Sequence, residues 1–261
     1  MRRTYALAAG LALLAVAPAD AAPAAPRNLI RTDCRLTPTG VTAPPVGDAP
    51  CPGIRPGAAY VTTVGGCTLG YVFTGSDRNT YVATAGHCAV KDQQPGGTVW
   101  KPGTGPIAGD PVTGVEFGRF VYAKHEHGKT DFGLIRLRPG VKADPQMCHF
   151  GGPTGIATNV DFAPVALVHY GNGYGMDYTQ ARTSYAVHGL RRADAVTAFG
   201  AMSPGDSGGP VNTDKGLAVG VIDELVVNGN GHVLVQRLSP YLDEVRRRLG
   251  VRLTLRTAPL R

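Results

Sequence analysis

An all-β chain of many short strands, closed by a single helix, is what this sequence predicts, on three observations. Glycine and proline supply 36 and 21 of the 261 residues, about 22% together, against roughly 12% in ordinary usage. Both interrupt helix interiors, so a helical bundle or coiled coil is excluded. Hydrophobic residues make up 43% of the chain and charged residues 17%, which excludes a disordered chain and leaves enough Val, Ile, Leu, Phe and Tyr for a core. From about Tyr60 onward, β-prone runs alternate with turn residues and no repeat is visible.

The chain begins with Arg2 and Arg3, an apolar run from Ala6 to Ala17, and the small-residue segment Ala19-Asp20-Ala21. That is the pattern of a signal peptide over 1–21, with Ala6 weakening a twin-arginine reading, and it predicts a secreted protein. The run is too short for a membrane span, and no later stretch reaches the required ~20 residues. Residues 22–58 carry eight prolines, from Pro23 to Pro56, with little apolar periodicity. They read as a leader arm, either a propeptide or an arm that stays attached.

The strand candidates follow in order: Ala59 to Val64, Thr68 to Thr74, Thr80 to Thr84, Gly97 to Trp100, Val112 to Tyr122 and Phe132 to Leu137. A second set comprises Val160 to Tyr170, Arg182 to Val187, Ala195 to Ala198, Pro210 to Asn212, Ala218 to Val227 and His232 to Arg237. The one helix spans 239–250, with Ser239 as cap, Pro240 at its first position, Arg246 to Arg248 late and Gly250 as its stop. Residues 251–261 read as a solvated basic tail. Net charge is +7, but no stripe of basic residues interleaved with aromatics is present, so a nucleic-acid partner is excluded. The tail is expected to offer at most a weak contact for anionic wall polymers.

Three islands carry chemistry: Thr84-Ala85-Gly86-His87-Cys88, Thr130-Asp131-Phe132-Gly133, and Gly205-Asp206-Ser207-Gly208-Gly209-Pro210. Acyl transfer to a serine needs a base for the hydroxyl proton, a carboxylate to orient and stabilise the imidazolium, and N–H donors for the oxyanion. His87 is the candidate base, Asp131 the carboxylate and Ser207 the nucleophile. The N–H groups of Gly205 and Ser207 are the candidate oxyanion hole. The glycines suit a tight turn in which a Cβ would obstruct convergent donors. Asp206 reads as an anchor of that turn, since a buried carboxylate needs partners.

In the order His, Asp, Ser, these islands resemble the chymotrypsin-like (trypsin-like) serine peptidase family in its secreted bacterial branch, over about Tyr60 to Gly250. The resemblance implies two six-stranded antiparallel β-barrels, about 59–145 and 146–238, with the active site between them and a C-terminal helix. It implies a serine endopeptidase acting on polypeptides through an acyl-enzyme, without cofactor or metal, as a monomer. The alternative is an inactive homologue serving as an extracellular binding or adhesion module. It further implies a Cys67–Cys88 disulfide beside His87. Cys51 to Cys148 is the next pairing, leaving Cys34 over; Cys34 to Cys51 and Cys34 to Cys148 are the alternatives. By the same resemblance Ala201 lies at the floor of the specificity pocket and argues against a charged floor. Asp223-Glu224-Leu225 stands where the family's wall strand is typically Ser-Trp-Gly, so Asp223 and Leu225 are assigned to the pocket, with the acidic pair at its rim or facing solvent.

One departure stands out. No Arg-Ile-Val-Gly-Gly type activation sequence is present. Either the chain folds directly into its active form, or the leader acts as an inhibitor, making a zymogen, or as a chaperone. A zinc site on Cys67, His87 and Cys88 matches no usual module, and His125-Glu126-His127 reads as a surface turn rather than a metal site. Gly171 to Gly175 reads as a strand-ending loop near the cleft and not as a phosphate loop.

Overall fold

The structure is a computed structural model, and it describes residues 53–91, 96–147, 150–158, 166–171, 182–191, 194–199, 202, 204–226 and 232–261. The signal segment, most of the leader, and Cys34, Cys51, Cys148 and Ala201 lie outside the described residues.

Its first half holds β1 (Ala59–Val61), β2 (Gly66–Thr68), β3 (Val72–Gly75), β4 (Thr80–Thr84), β5 (Thr98–Val99), β6 (Ile107–Gly109), β7 (Glu116–Glu126) and β8 (Thr130–Leu137). These pair antiparallel in the order β3-β4-β8-β7-β6-β1-β2, with β5 on β7. Since β2 runs into β3 through Leu69 to Tyr71, the ring closes into a six-stranded barrel. The second half holds β9 (Gly155–Ile156), β10 (Ala166–Gly171), β11 (Arg182–Arg191), β12 (Ala195–Phe199), β13 (Pro210–Thr213), β14 (Leu217–Val226) and β15 (His232–Arg237). Its order β13-β10-β11-β12-β15-β14 is closed by a β13–β14 pairing, with β9 parallel to β14 outside the ring. The chain ends in α1 (Leu238–Leu249) and β16 (Leu253–Leu255).

The burial of β8 shows how sequence sets position. Alternate residues of a strand point to opposite faces. Ile135 and Leu137 join Val82, Phe117, Phe120 and Ala123 inside the first barrel. Phe132 and Leu134 face the other way, into a cluster with Leu238, Tyr241 and Val245 of α1. A strand buried on both faces reads as a nearly continuous apolar run, and the segment from Phe132 to Leu137 does so. The second barrel has its own interior of Leu167, Val196, Ala198, Val211, Val219, Ile222, Val233 and Val235.

Three expectations are corrected. The strand expected from Val112 begins at Glu116. Asp110 Oδ1 accepts the N–H groups of Val112 and Thr113, both at 2.8 Å, and this side-chain turn holds 110–114 out of the sheet, leaving Val112 63% exposed. The helix is capped at Arg237, with no side-chain cap bond, and Ser239 lies within it; Gly250 ends it in the left-handed region, as expected. The C-terminal segment is no solvated tail. β16 pairs antiparallel with β3, and the Arg256 guanidinium donates to Thr74 Oγ1 (3.0 Å), Thr80 Oγ1 (3.1 Å) and the Ala143 carbonyl (3.3 Å). The strand edge supplied the partner that local composition did not show.

The helix ties the two halves together. The rings of Tyr241 and Phe132 stack with centroids 4.7 Å apart, and Tyr122 donates to Glu244 Oε1 at 2.8 Å. The end of the leader is also part of the fold: Ile54 is buried, and Arg55 pairs with Asp144 at 3.1 Å. Cys67 and Cys88 form the disulfide that the family resemblance implies. Closing a loop of that 21-residue separation constrains the unfolded chain by about 3 kcal/mol.

Candidate active site

The site forms where strand ends of the first barrel meet a turn of the second. β4 ends in Thr84, and the chain passes through Ala85 and Gly86 to His87. Gly86 lies so close to the β7–β8 hairpin that a Cβ there would sit 2.1 Å from the Lys124 carbonyl oxygen. That contact brings His87 against Asp131 near the start of β8. Asp131, 1% exposed, accepts two hydrogen bonds from His87: from its backbone N–H at 2.8 Å and from Nδ1 at 2.5 Å. A carboxylate that holds Nδ1 as the donor fixes the tautomer and leaves Nε2 as the basic nitrogen.

The turn carrying Ser207 docks on the same strands. The Thr68 N–H donates to the Ser207 carbonyl at 2.9 Å, and Thr68 Oγ1 donates to the Gly205 carbonyl at 2.7 Å. Thr68 follows Cys67, whose disulfide partner Cys88 is the neighbour of His87. A continuous tether therefore runs from the serine turn to the histidine. The Gly208 N–H donates to the Ile222 carbonyl at 2.7 Å and that of Gly209 to Asp206 at 2.8 Å. Asp206 is buried, and a Cβ on Gly171 would lie 2.4 Å from its Oδ1. The turn is thus fixed by donors other than the N–H groups of Gly205 and Ser207.

Two solved structures match this fold over almost their whole length. A glutamic acid specific serine protease matches with a TM-score of 0.53 at 15% identity, over 78% of this chain and 100% of that one. A Nocardiopsis protease matches with a TM-score of 0.51 at 20% identity, over 77% and 98%. The chain has the chymotrypsin-like serine protease fold. A Cellulomonas bogoriensis chymotrypsin shares it, with a TM-score of 0.50 at 17% identity, over 78% of this chain and 99% of that one. No protein-family model and no curated protein matches the chain.

Within the chymotrypsin-like fold, two expected positions change. Asp223 does not face a pocket rim or solvent. It is 1% exposed, its side chain hydrogen-bonds Asp131, and it accepts from Gln236 Nε2 at 2.5 Å. β14 pairs Ile222 with Val235 of β15 and shifts register before Leu225, and Gln236 of β15 reaches Asp223 on one side and the Lys129 carbonyl before β8 on the other. Leu225 pairs with Val233; its side chain and Ala201 lie outside the description. His125 is no surface residue. It sits opposite Asp131 in the hairpin register, 9% exposed, with its ring 5.6 Å from that of His87. Sequence reasoning missed His125, Gln236 and Tyr241. The available signal for His125 was its spacing from Asp131 across a tight turn.

Two groups have ligand-type atoms within 4.8 Å of one another among the described residues. In the first, Cys67 and Cys88 are spent in a disulfide; in the second, His87 and Asp131 are already bonded to each other with His125 beside them. We assign neither as a metal centre.

Burial pushes the Asp131 carboxyl up. The His87 charge and hydrogen bonds from His87 and Asp223 outweigh it and hold the group below its ordinary value of 3.8. A depressed folded-state pKa contributes stability that is present above the unfolded value and lost as pH falls through the folded one. Urea unfolding should therefore show a gap between the parent and Asp131→Asn at neutral pH that closes as pH drops below about 3.8. A gap independent of pH would contradict that contribution.

Proposed function

We propose that this protein is a secreted serine endopeptidase that hydrolyses polypeptides through an acyl-enzyme. The observation that carries the reading is the double hydrogen bond of Asp131 to His87 beside a serine turn tethered to the same strands. His87 Nε2 takes the Ser207 hydroxyl proton as Oγ attacks the scissile carbonyl. The carbonyl oxygen becomes an oxyanion, received by the N–H groups of Gly205 and Ser207. Collapse expels the amine, to which His87 returns the proton, leaving an ester on Ser207. Water, deprotonated by His87, attacks that ester in the second half and frees the acid. Asp131 remains ionised throughout and stabilises the imidazolium formed in each half.

Secretion is supported by the apolar run after Arg2-Arg3 and by the disulfide, a bond that persists in oxidising compartments. Among the described residues no helix is long and apolar enough to cross a membrane. A leader removed on maturation would be cut before Gly53, since Ile54 and Arg55 belong to the fold. The test is labelling by a fluorophosphonate probe. Covalent label should appear on the mature protein and be lost in Ser207→Ala. A folded protein that takes up no label would reduce the molecule to a binding module built on a protease fold.

A further inference from the structure

Asp131 and Asp223 are two carboxyl groups, each 1% exposed, joined by a side-chain hydrogen bond. An ionised carboxylate only accepts, so a hydrogen bond between two of them requires a proton on one. The neighbours decide which. Asp131 receives the His87 N–H at 2.8 Å and Nδ1 at 2.5 Å, which favours its charged form. On the far side, Tyr241 donates its hydroxyl to Gln236 Oε1 at 2.9 Å. That fixes the amide so that Nε2 points at Asp223 Oδ2, at 2.5 Å. A chain of donors thus runs Tyr241, Gln236, Asp223, Asp131.

We propose that Asp223 is held as the neutral carboxylic acid at neutral pH and donates a hydrogen bond to Asp131, positioning that carboxylate against His87. This rests on the peptidase reading above and names a positioning residue that acts through Asp131. The groups that face the pair are His87 from the loop after β4, His125 from β7, Gln236 from β15 and Tyr241 from α1. Tyr241 is buried, and burial together with the nearby Asp194 pushes its pKa up, so it keeps the proton that orients Gln236. The pair titrates as one unit carrying a single negative charge. Two charges there would hold His87 protonated to higher pH and remove the base from the neutral range. The acid form of Asp223 supplies a hydrogen bond without that second charge.

Asp223→Asn keeps the shape of the acid form, with an oxygen for Gln236 and an N–H for Asp131. Its kcat/KM should stay within about threefold of the parent, and the acid limb of its pH profile should not move. Asp223→Ala removes the donor and should cost roughly 10- to 100-fold, as for a hydrogen bond to a charged group. An acid limb displaced downward by about one pH unit in Asp223→Asn would show that a charge was removed and overturn the proposal. A readout independent of turnover is isotope-edited infrared spectroscopy of aspartate-labelled protein at neutral pH. The parent should show a carboxylic-acid C=O band that vanishes in Asp223→Asn. No such band, in a protein that hydrolyses peptides, sinks this inference and leaves the peptidase reading standing. The band in a protein that takes no fluorophosphonate label does the reverse.

Discussion

Ser207→Ala and His87→Ala should each lower turnover on a peptide substrate by on the order of 10⁴-fold or more. On the proposed mechanism, alanine at Ser207 removes the oxygen that would form the acyl bond, while the N–H groups of Gly205 and Ser207 remain. Alanine at His87 leaves the hydroxyl with no base, and a serine hydroxyl is a weak nucleophile without one. Because the two groups act in one proton transfer, the double variant should be about as slow as either single one. Turnover near the parent's in either variant, measured with active-site-titrated protein, would mean that the nucleophile or base is wrongly placed.

The second large effect is expected at Gly208. It has φ +85°, and an added Cβ would lie 2.1 Å from Thr84 Oγ1, 2.5 Å from the Thr68 carbonyl and 2.8 Å from the Ala85 N. Two of those atoms are backbone of the strands that carry the site, so relief requires the serine turn to move away from them. Gly103 has nearly the same φ, +84°, with nothing within 4 Å of its Cβ position. The pair separates backbone strain from close approach. Gly103→Ala should cost about 1–2 kcal/mol, the left-handed penalty alone. Gly208→Ala adds overpacking of about 1–3 kcal/mol and should lower kcat by about 10²-fold or more through the displaced Ser207. Equal destabilisation of the two variants in a denaturant titration, with activity intact, would refute the packing account.

Much of the fold was legible because its cause is local. Thr80 to Thr84 and His232 to Arg237 form strands over the expected residues, bounded by turn residues, and Gly250 ends the helix in the one conformation that glycine adopts freely. Where a long-range partner decided, local reading failed. Leu253 to Leu255 became a strand because β3 offers an open edge; the apolar-polar alternation from Val251 to Arg256 permits a strand there, but only the edge supplies its partner. Ile107 to Gly109, a three-residue strand, exists through pairing with β7 and β1. The segment from Val112 looked strand-like, yet the Asp110 side chain captured its first N–H groups.

The sequence by itself determined the all-β class and the helix near the end and singled out His87, Asp131 and Ser207 as candidates, because turn chemistry and reactive side chains are properties of short segments. Only the tertiary structure decided what surrounds them. Asp223 looks like a rim or surface acid from its neighbours Glu224 and Leu225, and His125 like part of a charged turn. The strand registers of β14 on β15 and β7 on β8 bury both beside Asp131 and His87. A carboxyl's state of charge depends on the donors and charges within a few ångströms. Those come from β7, β8, β15 and α1, segments far apart in the chain that only the closed barrels and their docked helix bring together.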